Sequence, residues 1–153
     1  MKKEVYEKVR KEHPELPEYE KIDWEFEIST IEKDSFPLRR IRRKITDKLE
    51  RLAEILQSIL SPDPNSFVDI YECRMYNEED KKEIFEICRK LMYQDRLFTE
   101  VALKRDDKAE AEAIASAYKL WVEHRGKAIE MVQKMKDSWQ KDIETKEVFS
   151  YMG

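Results

Sequence analysis

Few residues in this chain have the types and spacing that chemistry demands. Its two histidines stand apart: His13 precedes Pro14, and His124 lies between Glu123 and Arg125. A lone imidazole lacks the second and third groups that metal binding or general-base catalysis requires. Glu83 and Glu86 have the spacing of half a two-part carboxylate metal site. No second acid pair and no Glu-x-x-His completes it, so a charged outer helix face is the stronger reading. Gly126 is the one glycine before the terminal Gly153. One glycine cannot build a phosphate-cradling loop or a dinucleotide fingerprint. These exclusions nominate no catalytic residue, metal or cofactor, and the expectation is a protein that is not an enzyme.

The distinctive cluster is cationic. Between Arg39 and Lys44 five of six residues are basic, just after Pro37, where a helix should begin. The positive end of the helix macrodipole sits there and favours acids instead. Arg39/Arg43, Arg40/Lys44 and Lys44/Lys48 are like-charge pairs four apart, each mildly destabilising. Residues 37–61 hold seven basic and three acidic groups, while residues 12–34 hold nine acidic and two basic. Three readings follow. The acidic segment folds back and neutralises the arginines; or Arg39, Arg40, Arg42, Arg43, Lys44, Lys48 and Arg51 form an anion or nucleic-acid site; or they meet an acidic protein. Guanidinium groups on a helix face suit phosphate oxygens. With no aromatic residues interleaved, duplex or structured RNA backbone fits better than stacked single strands.

The elements that must position these residues are mostly helical. All five prolines fall in the first 64 residues, and proline inside a helix costs about 3 kcal/mol, so the remainder is free to be helical. Val5, Tyr6 and Val9 mark a short helix ended by His13-Pro14. Ile22, Trp24, Phe26 and Ile28 alternate with acids, the period of a strand with one apolar face. Leu38, Ile41, Ile45, Leu49, Leu52, Leu56 and Ile59 form the stripe of a first long helix. Residues 67–76 fit either a strand or a short helix, and the helix is preferred. Asn77 and Asp80 mark the start of a second long helix reaching about Arg105, with Ile84, Ile87, Cys88, Leu91, Phe98 and Val101 inward. Asp107 with Glu110 marks a third reaching about Asp142, with Ala111, Ile114, Tyr118, Trp121, Ala128, Ile129, Val132, Met135 and Trp139 inward. A last short helix takes in Val148, Phe149, Tyr151 and Met152. Glu86/Lys90, Glu123/Lys127 and Glu130/Lys134 have the favoured order for ion pairs along a helix. Asp95 and Arg125 fall on apolar stripes and reach solvent if the stripes drift to the helix edge.

The resulting fold class is all-α: an antiparallel bundle of three long helices with short terminal helices. An acidic arm over residues 1–34, a short helix plus an extended segment, precedes a bundle domain over residues 35–153. The third helix outruns its neighbours, so the arm, the C-terminal helix or another subunit must cover the end that carries Met135 and Trp139.

The 153 residues suffice for one core. Hydrophobic content of 41% beside charged content of 42% describes long helices with solvated faces. A net charge of -4 gives no global pull toward nucleic acid or acidic membranes. Cys73 and Cys88 fit no metal or redox motif, the opening residues lack the apolar centre of a secretory signal, and no run reaches membrane-helix length. The expectation is a cytoplasmic, non-catalytic interaction or assembly protein that does not enter a membrane. It uses its basic helix on one side and Trp24, Phe26, Ile28, Met135 and Trp139 as protein interface. A homo-oligomer, a dimer first, and a protein partner are expected; nucleic acid is the alternative partner.

Overall fold

The computed structural model describes residues 1–32 and 35–140; the short helix expected over residues 148–152 lies outside them. In chain order the helices are α1 (Lys3–Glu12), α2 (Tyr19–Phe26), α3 (Pro37–Leu60), α4 (Phe67–Cys73), α5 (Glu78–Lys104) and α6 (Asp107–Ser138), with a single 3-10 turn at Ile28–Thr30. Among the described residues there is no strand. The fold is an all-α bundle in which α3, α5 and α6 pack on one another.

Each long helix begins where its local chemistry dictates. Pro37 occupies the first turn of α3, where its fixed φ is pre-organised and its missing N–H costs nothing. The Asn77 side chain accepts from the Asp80 amide while the Asp80 carboxylate accepts from the Asn77 amide, a complete capping box for α5. The cap of α6 is Asp106, one residue before the expected Asp107, and it accepts from the Ala109 amide. Arg105 turns the chain between α5 and α6 in the left-handed conformation. Arg42 near the start of α3 meets Glu110 near the start of α6, so those two run together and α5 runs against both.

The core is the sum of the predicted stripes. All seven aliphatic residues expected on α3 are buried, as are the six inward residues expected on α5. Burial of each large side chain contributes roughly 1.5–3 kcal/mol. On α6 the expected stripe holds in the first half and then drifts. Ala128, Met131, Met135 and Ser138 face inward in the second half, while Ile129 and Val132 are exposed. A straight helix at 3.6 residues per turn rotates against any seven-residue spacing, and the buried face rotates with it.

Residues 1–32 pack onto the bundle. Residues 22–28, which alternate like a strand, form α2 and the 3-10 turn instead. A strand with no neighbour leaves its backbone groups unpaired, whereas a helix satisfies its own. The same four residues also satisfy helical spacing: Ile22, Phe26 and Ile28 are buried and Trp24 swings outward at 81% exposure. The α-ammonium of Met1 donates to the carbonyl oxygens of Ile28 and Ser29 at 2.9 Å each, and to that of Ile31. The Tyr6 hydroxyl donates to the Pro17 carbonyl at 2.7 Å.

The far end of α6 is covered by α4, which none of the expected candidates anticipated. The Tyr71 hydroxyl donates to the Ser138 carbonyl at 2.8 Å, and the Trp139 indole donates to Glu72 at 2.7 Å. The Tyr71 and Trp139 rings lie 4.5 Å apart. Just beyond α4, the buried Tyr76 hydroxyl donates to the Met131 carbonyl at 2.7 Å, and burial pushes its pKa up to about 12. Above the ordinary tyrosine value near 10 the unfolded chain releases this proton while the folded chain keeps it, so folding is disfavoured as pH rises. Denaturant midpoints should therefore fall from about pH 10 toward pH 12, and Tyr76→Phe should lessen that fall, with Tyr6, whose pKa burial also raises, contributing to the remainder. An unchanged slope in the variant would remove Tyr76 as its source.

Candidate functional site

The seven cations expected to share one site separate into two groups. Arg42 turns inward: its Nε donates to Glu110 Oε1 at 2.8 Å, and the Glu110 side chain is only 3% exposed. Lys48 also turns away from solvent. Its ammonium donates to the Glu25 carbonyl oxygen and lies 4.7 Å from the Trp121 ring centre and 5.5 Å from that of Phe26. Both are fasteners of the fold, joining α3 to α6 and to α2. Glu110 marks no cap; it is the buried counter-ion of Arg42.

Arg39, Arg40, Arg43, Lys44 and Arg51 remain on the outer side of α3. Among the described residues none of the five forms an ion pair, although sixteen such contacts occur elsewhere. Arg40 Nε donates to the Ser35 carbonyl at 2.8 Å. Arg40, Arg43 and Lys44 line an open hollow of about 320 Å³ together with Ile31, Glu32 and Asp47. The described acidic residues of the arm, up to Glu32, therefore form no ion pair with these five cations. Its buried carboxylate, Glu25, instead accepts from the Trp121 indole at 2.7 Å and from the Arg125 guanidinium.

Beside the cations stands Phe36, a residue with no signal in the sequence. It precedes α3 with φ 54°, in the left-handed region, which costs a side chain with a Cβ roughly 1–2 kcal/mol. Its ring is 66% exposed, and the Arg39 guanidinium stacks over it at 4.9 Å. Only the folded chain reveals it, because Pro37 starts the helix and leaves Phe36 as the exposed turn before it.

The expected aromatic interface dissolves in part. Phe26, Ile28 and Met135 are core residues, so they are not available to a partner of the folded chain. Trp24 is exposed, and Trp139 is half-covered by α4. Asp95 and Arg125 do reach solvent at the edges of their helices, paired with Arg96 and Glu25 respectively.

The lysines expected to pair four residues along their own helix, Lys90, Lys127 and Lys134, reach instead across the seam between α5 and α6, while Glu86–Arg89, Glu100–Lys104 and Lys127–Glu130 pair along a helix. Lys90 meets Glu123 at 2.9 Å, Lys127 meets Glu83 at 2.8 Å and Lys134 meets Asp80 at 2.6 Å. Hydrogen bonds from these lysines hold the Asp80 and Glu123 carboxyls below their usual values. Glu83 and Glu86 are each engaged by a cation, Lys127 and Arg89. His124 is partly buried, with Lys90 Nζ 3.0 Å from its Nε2. Burial, and then the Lys90 charge, hold its imidazole below the ordinary value. Among the described residues no group of three or more His, Cys, Asp or Glu side chains is placed to hold a metal, and no helix is long and apolar enough to cross a membrane.

No protein-family model, curated protein or solved structure matches the chain.

Proposed function

We propose that this chain is a non-catalytic docking protein whose outer α3 face binds an acidic surface of a protein partner. The observation that carries the reading is the contrast in pairing. The α5–α6 seam satisfies its lysines across helices, whereas Arg39, Arg40, Arg43, Lys44 and Arg51 form no ion pair among the described residues. Holding like charges at a helix start costs a few tenths of a kcal/mol per pair. Within the described residues only the Arg39–Phe36 stacking and the Arg40 bond to the Ser35 carbonyl act against that cost, and an acidic partner would add to them. The neighbouring Phe36 and Arg39 supply the aromatic and guanidinium groups that dominate protein interfaces.

Glu32 and Asp47 favour a protein partner over nucleic acid. They line the same hollow as Arg40, Arg43 and Lys44, so the face alternates in sign. A continuous phosphate backbone would meet two carboxylates there, whereas a protein surface can match the alternation. Nucleic acid is the second reading, supported by the guanidinium groups alone. Self-association and a cytoplasmic setting belong to the same proposal. The two cysteines, Cys73 and Cys88, are free thiols and suit a reducing compartment.

The test is a titration of the full chain against a labelled Glu-rich helical peptide, duplex DNA and a structured RNA, at low and high salt. Arg40→Glu with Arg43→Glu serves as the comparison. Exposed charge pairs contribute roughly 0.2–1 kcal/mol each, so losing two should weaken peptide binding roughly 2–30-fold, and the repulsion that reversal adds should weaken it further. Binding confined to DNA or RNA, with steep salt dependence, would transfer the face to the second reading. Equal behaviour of wild type and variant toward all three probes would overturn both.

A further inference from the structure

Among the described residues, nothing packs against one glycine of the bundle. Gly126 sits in the middle of α6, where glycine is less favourable than alanine. Its φ is not positive, and a Cβ built there would meet nothing within 4 Å. No turn, strain or tight contact of the bundle calls for it. Around it lies the face that the drifting core leaves uncovered: Val122 and Ile129 are 50% and 49% exposed, with Val132 at the border at 42%. Val122, Gly126, Ile129 and Gln133 follow steps of four, three and four, so they share one side of the helix.

We propose that this face pairs antiparallel with the same face of a second copy. The argument is self-complementarity. A two-fold axis passing between residues 127 and 128 places Ile129 of each copy against Gly126 of the other, a branched knob in a gap without a Cβ, formed twice. The charges agree with the same axis. Lys119 and Asp137 are eighteen residues apart in α6, which is five full turns, so both project on one flank of the face. Both are exposed. The midpoint between them is Ala128, half a residue from that axis, so the pairing that seats Ile129 brings Lys119 of one copy to within about 1.5 Å, along the helix, of the level of Asp137 of the other. Lys119 makes no ion pair among the described residues, and Asp137 meets only its neighbour Lys136, at 3.3 Å. Opposite charges at mirrored ends favour the antiparallel pairing and oppose the parallel one, which would set like charges together. The face lies on α6, and the α3 charge reversals described above leave its residues unchanged.

The experiment is sedimentation equilibrium of the full chain and four variants, with circular dichroism to verify folding. The wild type should form a dimer with micromolar Kd, as a small interface does, and Ile129→Glu and Gly126→Leu should be monomeric with unchanged helicity. Lys119→Glu should weaken the dimer roughly three- to tenfold, and adding Asp137→Lys to it should restore the dimer. Gly126→Ala supplies a sign test in a separate melt. It should raise the melting temperature of the dilute monomer by about 2 °C while weakening association. A chain that stays monomeric at high concentration would overturn the proposal. So would a dimer indifferent to Gly126→Leu and to the charge exchange. A monomer destabilised by Ile129→Glu would also overturn it, by showing that the face is covered within one chain.

Discussion

Arg42→Ala should destabilise the chain by about 3 kcal/mol, because it strands the Glu110 carboxylate in a site that is only 3% exposed. The magnitude follows from asymmetry. Forming a buried ion pair gains little net energy, since desolvation consumes most of the attraction. Removing one member leaves the other buried without compensation. For a chain of this size the melting temperature should fall by about 6–12 °C. Arg42→Leu combined with Glu110→Leu should return to within about 1 kcal/mol of wild type, since apolar replacements remove both charges together. The same double variant bears on function. Arg42 points inward, so peptide binding by the α3 face should be unaffected in the double variant, while Arg40→Glu with Arg43→Glu should weaken it. Equal mild effects of the single and double substitutions, measured by denaturant unfolding, would return Arg42 to the surface patch.

Phe26→Ala is the second large effect. Phe26 is 3% exposed, lies 5.8 Å from the Trp121 ring centre and carries the Lys48 ammonium over its face. Truncating such a ring leaves a cavity as well as lost burial, at a cost of about 3–5 kcal/mol. The loss is expected to concentrate where α2 meets α3 and α6. The Glu25 contacts to Trp121 and Arg125 depend on that docking. Limited proteolysis should then cut within residues 1–32 before the bundle unfolds, and Trp121 should report a wetter environment in fluorescence. A resistant arm with an unchanged melting temperature would show that α2 contributes nothing to the bundle.

Both results turn on residues whose type was visible in the sequence but whose partner was not. Arg42 belongs to a run of five cations, and at 100° per residue it lies at the border of the apolar stripe, where inward and outward are both open. Which way it turns is settled by Glu110, sixty-eight positions away. Glu25 likewise looks like one acid among many in an acidic segment, until α2 lays it between Trp121 and Arg125. The alternation of Ile22, Trp24, Phe26 and Ile28 satisfied two periods at once. Four residues are too few to separate them, and the deciding fact was that the described residues offer no neighbouring strand to pair with.

What the sequence determined by itself is everything governed by local chemistry and long periodicity. The absence of proline after residue 64, the seven-residue stripe of α3, the Asn77–Asp80 capping box and the inward residues of α5 follow from steric limits and from 3.6 residues per turn. Those rules act within a few residues and hold in any surroundings. Tertiary structure alone decided which cations are buried, that α4 covers the end of α6, that α5 and α6 exchange charges across their seam, and that Ile129 is left on the surface. These outcomes depend on which helices are neighbours. A side chain at the edge of a stripe lies nearly as close to solvent as to the core, and only the element packed beside it tips the balance.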